Sequence, residues 1–430
     1  MIKKLFAHSG FKKYSFNTIW VLSEKLLRIL SGLFVGVLVA RHLGPENFGI
    51  LSYVQSFVGL FLVFATLGLD SIVVKELLNH KENSSQVLGT SFVMKLVGAT
   101  FIFPLLSIGI LFTQNDEFLN YLIYILALSS IFKSFGVVDF YFQSIVQSKY
   151  TSWAISFALI ISSIIKILLV IYNAELKNFV FANVFDSFII SIMLIFINQK
   201  YSTYKIQNWK FNLSLSKKLF VSSIPLIFSG LVITIYMKID QVMIQNMLSS
   251  YDVGIYSVAV KLSEAVYFLP VVLANSLFPA LLNVRNKDKY LYKKRLQRLY
   301  TFVTWLALTI VFLFYYFGEW IINLLFGIEY SDSLKPMLIH IIASIFVFWG
   351  VVHAKYLISE NKQKELFYRT FLAMSLNIVL NYMLIPVYGI TGAAIGILIS
   401  QFFANFVYDL LFKETRSQAK MKLKTFILKI

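Results

Sequence analysis

Three charged residues, Glu24, Lys25 and Arg28, fall inside the apolar stretch WVLSEKLLRILSGLFVGVLVA, residues 20–40. A charge at the centre of a bilayer costs at least ~2.5 kcal/mol, so each needs a partner or a task. At 100° per residue, Asn17, Glu24, Arg28 and Ser31 share one narrow helix face, and Glu24 and Arg28 form an i,i+4 pair in the favoured order. Other apolar runs hold Lys133, Lys166, Lys238, Lys261 and Lys355. Of the lysines, Lys25, Lys133, Lys166, Lys238 and Lys355 have no acid three or four residues away. Cations unpaired around an aqueous space want an anion. Glu24, Asp139, Asp186, Asp240 and Glu264 are the acids in these runs, available for ion coupling or for pairing. Ser257, Lys261, Glu264 and Asn275 also share a face, with a kink expected at Pro270. Such polar stripes must face protein or water, not lipid. An ion pair that only fixes packing remains the alternative for Glu24 and Arg28. Lys95, Lys335, Arg369 and Asp409 lie close enough to span ends to reach the interface.

These side chains are carried by a chain of 430 residues that is 58% hydrophobic and 14% charged, with a mean hydropathy of +0.74. No soluble domain of that length would tolerate such a surface, which predicts a polytopic membrane protein. The absence of cysteine excludes disulfides, thiolate metal sites and cysteine nucleophiles. His8, His42, His80, His340 and His353 show no metal-ligand spacing, so no metal or cofactor is expected and their roles read as structural or solvated. The first apolar run carries charges and lacks a small-x-small cleavage pattern, so it is expected to stay in the mature protein.

A bilayer core of ~30 Å needs about 20 apolar residues per helix. On that measure about twelve spans are predicted, near 16–40, 48–69, 86–112, 119–141, 153–172, 178–198, 219–247, 253–281, 299–325, 334–358, 367–386 and 389–412. The connections are short, and the longest polar ones are 199–218 and 282–298. Lysine and arginine crowd one alternate set of connections, including Lys3, Lys4, Lys12, Lys13, the 199–218 and 282–298 segments and the tail to Lys429, against Arg41 and Lys177 in the other. Basic loops resist translocation, so both termini are expected to be cytoplasmic. The net charge of +18 then reflects topology and suits anionic headgroups, without nucleic acid. Asp116/Glu117 and Glu329/Asp332, the acidic pairs of the external connections, read as solvated loop residues.

ARHLGPENFGILSYV (40–54) aligns without gaps to QNMLSSYDVGIYSVA (245–259), pairing Leu43 with Leu248, Gly49 with Gly254, Ile50 with Ile255 and Ser52 with Ser257. The offset is near half the chain. It predicts two pseudo-symmetric six-helix lobes, residues 1–210 and 211–430, inserted in the same direction.

Three segments carry a family resemblance. KIDQVMIQNMLSSYDVGIYSVAVKLSEAVYFLPVVLANSLFPAL (238–281), VARHLGPENFGILSYVQSFVGLFLVFATLGLDSIVVKEL (39–77) and YGITGAAIGILISQF (388–402) resemble the bacterial polysaccharide biosynthesis export family, the flippases of O-antigen and capsule repeat units. The resemblance implies the fold of multidrug and oligosaccharidyl-lipid exporters: all-α, with about twelve helices in two lobes forming a V around a central cavity. It implies as cargo an oligosaccharide on undecaprenyl diphosphate, moved from the cytoplasmic to the periplasmic leaflet of the bacterial inner membrane. It also implies H+ or Na+ as coupling ion, membrane lipids around the protein, and polysaccharide polymerase and chain-length proteins as partners. Arg28, Lys25 and Lys238 occupy helices comparable to those of the family's cationic cavities. Tyr236, Tyr256 and Tyr267 are candidates to stack on sugar rings, with core packing as the simpler role. A drug extruder of the same fold would prefer an acidic cavity. A membrane glycosyltransferase or polymerase would need a substantial external loop.

Overall fold

The computed structural model describes residues 9–285 and 287–426. His8, Lys3, Lys4 and Lys429 lie outside the described residues. Every regular element described is helical. The helices are α1 Ser9–Thr66, α2 Asp70–Asn79, α3 Ser84–Ile110, α4 Glu117–Ala127, α5 Ser129–Phe132, α6 Val137–Ser144, α7 Lys149–Ile171 and α8 Leu176–Tyr201. They continue as α9 Leu213–Met247, α10 Ser250–Glu264, α11 Phe268–Arg285, α12 Lys289–Leu325, α13 Leu334–Ser359, α14 Gln363–Tyr388, α15 Ile390–Phe402, α16 Tyr408–Leu411 and α17 Arg416–Leu423.

Eleven helical stretches among the described residues are long and apolar enough to cross a membrane. The first, Phe16–Asn79, has 64 residues and would run about 96 Å if straight, three times the hydrocarbon thickness. It breaks at Gly44, whose φ of +69° and ψ of 172° no helix accommodates, with Pro45 starting the second arm. Counted as two crossings, this stretch brings the total to the twelve expected.

Helix ends follow local chemistry. The Asp116 carboxylate accepts from Leu119 N at 2.7 Å, so it caps α4 and is not an idle loop residue. Asp288 accepts from Leu291 N at 2.9 Å at the start of α12. Ser249 accepts from Asp252 N and donates to its carboxylate at 2.5 Å, a reciprocal cap for α10. The expected kink near Pro270 takes the form of a break at residues 265–267 between α10 and α11, because a proline ring collides with the carbonyl four residues earlier, here that of Val266.

By internal packing the chain divides into two compact units, Met1–Leu43 with Val54–Thr234, and Gly44–Tyr53 with Ile235–Ile430. In the first, a core of Leu69, Val73, Leu77, Val87, Leu88, Val137, Phe142, Leu194 and Ile197 joins α2, α3, α6 and α8. In the second, the two copies of the internal repeat meet. A Cβ on Gly49 would overlap the Ser250 carbonyl oxygen and come within 2.8 Å of Gly254 N, and one on Gly254 would overlap the Pro45 carbonyl oxygen. Ser250 is the repeat equivalent of Pro45, so the two contacts exchange under the repeat, as in an isologous interface. The glycines are there because two backbones cross in contact.

Candidate functional site

In the first unit, α1 presents its polar face to α7. Asn17 Oδ1 accepts from Ser148 N at 2.7 Å, just before α7, and the Ser31 and Ser163 hydroxyls meet at 2.6 Å. Glu24 and Arg28 lie between these contacts on the same face. Arg28 donates through Nε at 3.0 Å and Nη2 at 2.7 Å to a single oxygen, Glu24 Oε1. The Glu24 side chain is 10% exposed and that of Arg28 50%, so the carboxylate is a buried anchor and the guanidinium keeps an open side for another anion. Lys25 is exposed, about 100° round the helix from Glu24.

Lys133, also exposed, opens a tight turn at 133–136 that interrupts the helical path between α5 and α6. It lies close enough to Arg28 and Asp186 to feel both charges. Asp186 ends the reading of Lys166 as an unpaired cation: Lys166 Nζ donates to Asp186 Oδ2 at 2.5 Å, and the Ser162 hydroxyl bonds the other oxygen. The partner is on α8, out of reach of any same-helix search. Asp139 accepts from Thr151 at 2.5 Å and Gln143 at 2.7 Å, which makes it a structural acceptor tying α6 to α7. Of the predicted site cations in this unit, Lys166 is thus neutralised, while Arg28, Lys133 and Lys25 are exposed.

The second unit gathers Lys238, Lys261 and Glu264. Both lysines are half-buried and act on the Glu264 carboxylate. Lys261 Nζ stands 5.3 Å from the Phe48 ring centroid, a cation–π contact. Lys355 is half-buried on α13.

Two polar centres of this unit escape a reading by spacing. In the first, buried Asp240 accepts from Tyr256 Oη at 2.7 Å and from Asn381 Nδ2 at 2.6 Å. Tyr256 Oη is also 3.0 Å from His340 Nε2. Asn377 lies beside Asp240 on the same face of α14 as Asn381. The carboxamide oxygens of Asn377 and Asn381 are buried without a hydrogen-bond partner. A carboxylate and two idle carbonyl-type oxygens form a donor set for a hard monovalent cation or a proton. The visible signal was two asparagines four apart in an apolar run. Among the described residues no group of three or more histidines and acids could hold a metal ion. Tyr256 and Tyr236 are buried, so neither is placed to stack on a sugar.

The second centre joins four elements. Lys422 of α17, fully buried, donates to Asp409 Oδ2 at 2.5 Å and to the Asn405 carbonyl at 2.5 Å. Asn405 lies in a π turn at residues 403–407, where the Tyr408 N–H reaches back to the Phe403 carbonyl. Arg369 Nη1 donates to His353 Nδ1 at 2.9 Å, which leaves the imidazole proton on Nε2. His353 Nδ1 is 3.3 Å from Asp409. Burial pulls the Lys422 ammonium down to about 8, while Asp409 holds it up. Arg369 and Asp409 were expected to reach the interface, and so was Lys95. All three are buried instead: Arg369 and Asp409 under α17, Lys95 with its ammonium 4.9 Å from the Phe140 ring. Lys335 is exposed, as a residue near a span end should be.

Residues 16–285 match the family described as polysaccharide biosynthesis protein. The chain belongs to that family. Residues 225–383 also match the MatE family. The capsular polysaccharide biosynthesis protein CapF of Staphylococcus aureus is 25% identical over 404 residues, covering 90% of this chain and 96% of that protein. A Shigella flexneri relative named for O-antigen transport is 22% identical over 395 residues, covering 88% and 93%. Among solved structures, the lipid II flippase MurJ in an inward closed conformation superposes with a TM-score of 0.69 at 18% identity, covering 96% of this chain and 91% of that one. An inward-facing multidrug MATE transporter superposes with a TM-score of 0.69 at 14% identity, covering 93% and 96%. The fold of this polysaccharide biosynthesis family member is therefore that of the flippases and extruders of the MATE and MurJ type.

Proposed function

We propose that this protein moves an undecaprenyl-diphosphate-linked oligosaccharide repeat unit, of O-antigen, capsule or similar polysaccharide, from the cytoplasmic to the periplasmic leaflet of the inner membrane by alternating access. The chain works as two lobes, residues 1–210 and 211–430, with both termini cytoplasmic. The observation that carries the reading is the half-exposed Arg28 guanidinium, held at one end by buried Glu24 and followed by Lys133, on a chain whose family serves polysaccharide biosynthesis. A diphosphate cannot cross hydrocarbon unaided, and cations with one open side match it without the tight clamp that would prevent release. Lys238, Lys261 and Lys355 supply the corresponding charge from the second unit, and Lys25 guides the headgroup. The protein performs transport and no bond-making chemistry.

The coupling ion, H+ or Na+, binds at Asp240 with Asn377 and Asn381, whose idle oxygens support that assignment. Asp186 and Glu264 balance the lysines near them, and Asp139 supports packing. Polymerase and chain-length proteins receive the cargo afterwards. The MatE match and the MATE neighbours favour a second reading, ion-coupled extrusion of a drug-like solute. Deletion in the native host separates the two. The flippase reading expects polyprenyl-diphosphate-linked repeat units to accumulate on the cytoplasmic side, restored to export by the wild-type gene. Normal surface polysaccharide together with raised sensitivity to drugs would replace it by the extruder.

A further inference from the structure

The first unit contains a groove of about 600 Å³ between α1, α3 and α9 that none of the charges above enters. Its walls are aromatic and aliphatic, with Phe64, Phe101, Phe220 and Phe228 among them, and one end carries Ser216 and Lys217. Phe101, Phe220 and Phe228 are exposed, so the groove opens outward at the depth of the spans. The charged end is fixed by the fold. Asn212 caps α9 by accepting from Leu215 N at 2.9 Å, and its own N–H donates to Thr90 Oγ1 at 3.0 Å, pinning the first turn of α9 to α3. Gly89 leaves room for the Lys210 backbone, which packs where a Cβ would stand. From Lys217 to Phe228 the groove follows α9 for about 17 Å, close to the depth of one leaflet of a ~30 Å hydrocarbon core. Lys217 is exposed and has no ion-pair partner among the described residues, whereas its neighbour Lys218 is paired to Glu76 at 2.7 Å.

We propose that this groove binds an acidic phospholipid, one acyl chain lying along α9 and the phosphate on Lys217, from the leaflet that borders the 199–218 connection. A phospholipid satisfies both ends at once: the walls offer no hydrogen bonds to a polar solute, and the lysine offers nothing to a neutral hydrocarbon. The charge selects an acidic headgroup over a zwitterionic one, by about fivefold for a single interfacial lysine. The inference is independent of the cargo.

The test is native mass spectrometry of the full-length protein, released from detergent into equal amounts of phosphatidylglycerol and phosphatidylcholine of identical chains. The wild type is expected to retain one phosphatidylglycerol in about fivefold preference. Lys217→Gln should remove the preference without removing lipid binding, and Lys218→Gln should leave the preference intact. Val97→Trp, which fills the groove, should remove the retained lipid of either kind, with an unchanged melting temperature showing that the variant folds. Equal retention of the two lipids, or a preference that survives Lys217→Gln, overturns the proposal. So does displacement of the retained phospholipid by added polyprenyl phosphate at equimolar level, which would assign the groove to an isoprenoid chain.

Discussion

Replacing Gly49 by alanine reverses the usual sign of a glycine-to-alanine change. Inside a helix, alanine is favoured over glycine by about 1 kcal/mol. At Gly49 the added methyl would coincide with the Ser250 carbonyl oxygen, an atom of the crossing backbone that no rotamer change can move. The helices must separate, and overpacking of this kind costs typically 1–3 kcal/mol or more. The net expectation is a loss of about 2 kcal/mol, roughly 4–8 °C in apparent Tm for a folding unit of about 200 residues. Gly254→Ala meets the Pro45 carbonyl in the same way and should cost as much. The double variant should lose less than the two losses added, since one separation relieves both clashes. Gly32→Ala and Gly59→Ala serve as controls, because a Cβ at either meets nothing within 4 Å and should leave stability equal or higher. The measurement is thermal unfolding of the purified protein in one detergent, followed by tryptophan fluorescence. If Gly49→Ala stabilises as Gly59→Ala does, the close crossing and the repeat argument built on it are wrong.

Arg28→Ala should abolish export while the protein level in the membrane stays normal, and Arg28→Lys should keep part of the activity, since the charge survives without the fork. Recovery of export in a combined Glu24→Ala, Arg28→Ala variant would reduce the pair to packing, because no buried charge is then left unpaired. Asp240→Asn should uncouple transport, so that export measured in vesicles no longer responds to an imposed Na+ or H+ gradient, with folding retained because Asn can still accept from Tyr256. Lys422→Met should destabilise the second unit by about 1–3 kcal/mol, because the buried Asp409 carboxylate and Asn405 carbonyl lose a hydrogen-bond donor that even a neutral amine would supply. Lys422 also sets a pH trend: its folded value of about 8 lies below the ~10.4 of an unfolded lysine, so between them the unfolded chain holds the extra proton. The unfavourable contribution is complete below pH 8 and fades as pH rises toward 10.4. Denaturation scans should show stability rising over that window in the wild type, with the rise missing from Lys422→Met.

The twelve crossings were legible because a span is a local property: about 20 apolar residues, ended by a polar turn, need no partner to be recognised. The interruption between residues 40 and 48 was legible for the same reason, and the repeat pairing Gly49 with Gly254 was legible because each copy is a contiguous segment that can be aligned without gaps. The i,i+4 pair Glu24–Arg28 belongs with them. Its geometry is that of one helix, and the structure adds only which member is buried.

Partners on other helices were beyond the sequence. Lys166 looked unpaired until α8 brought Asp186 against it, twenty residues away along the chain. Arg369 and Asp409 sit near span ends, where a long side chain can reach water, yet α17 folds back and closes that route with Lys422. Asn377 and Asn381 meet a carboxylate only because α9 places Asp240 opposite them. Hydropathy and helical period thus determine the crossings and the polar faces of single helices, because both depend on neighbours within a few turns. Which charge is neutralised, which stays open and which oxygen is left idle is decided by tertiary packing, since a hydrogen bond of about 3 Å depends on how helices far apart in sequence are brought side by side.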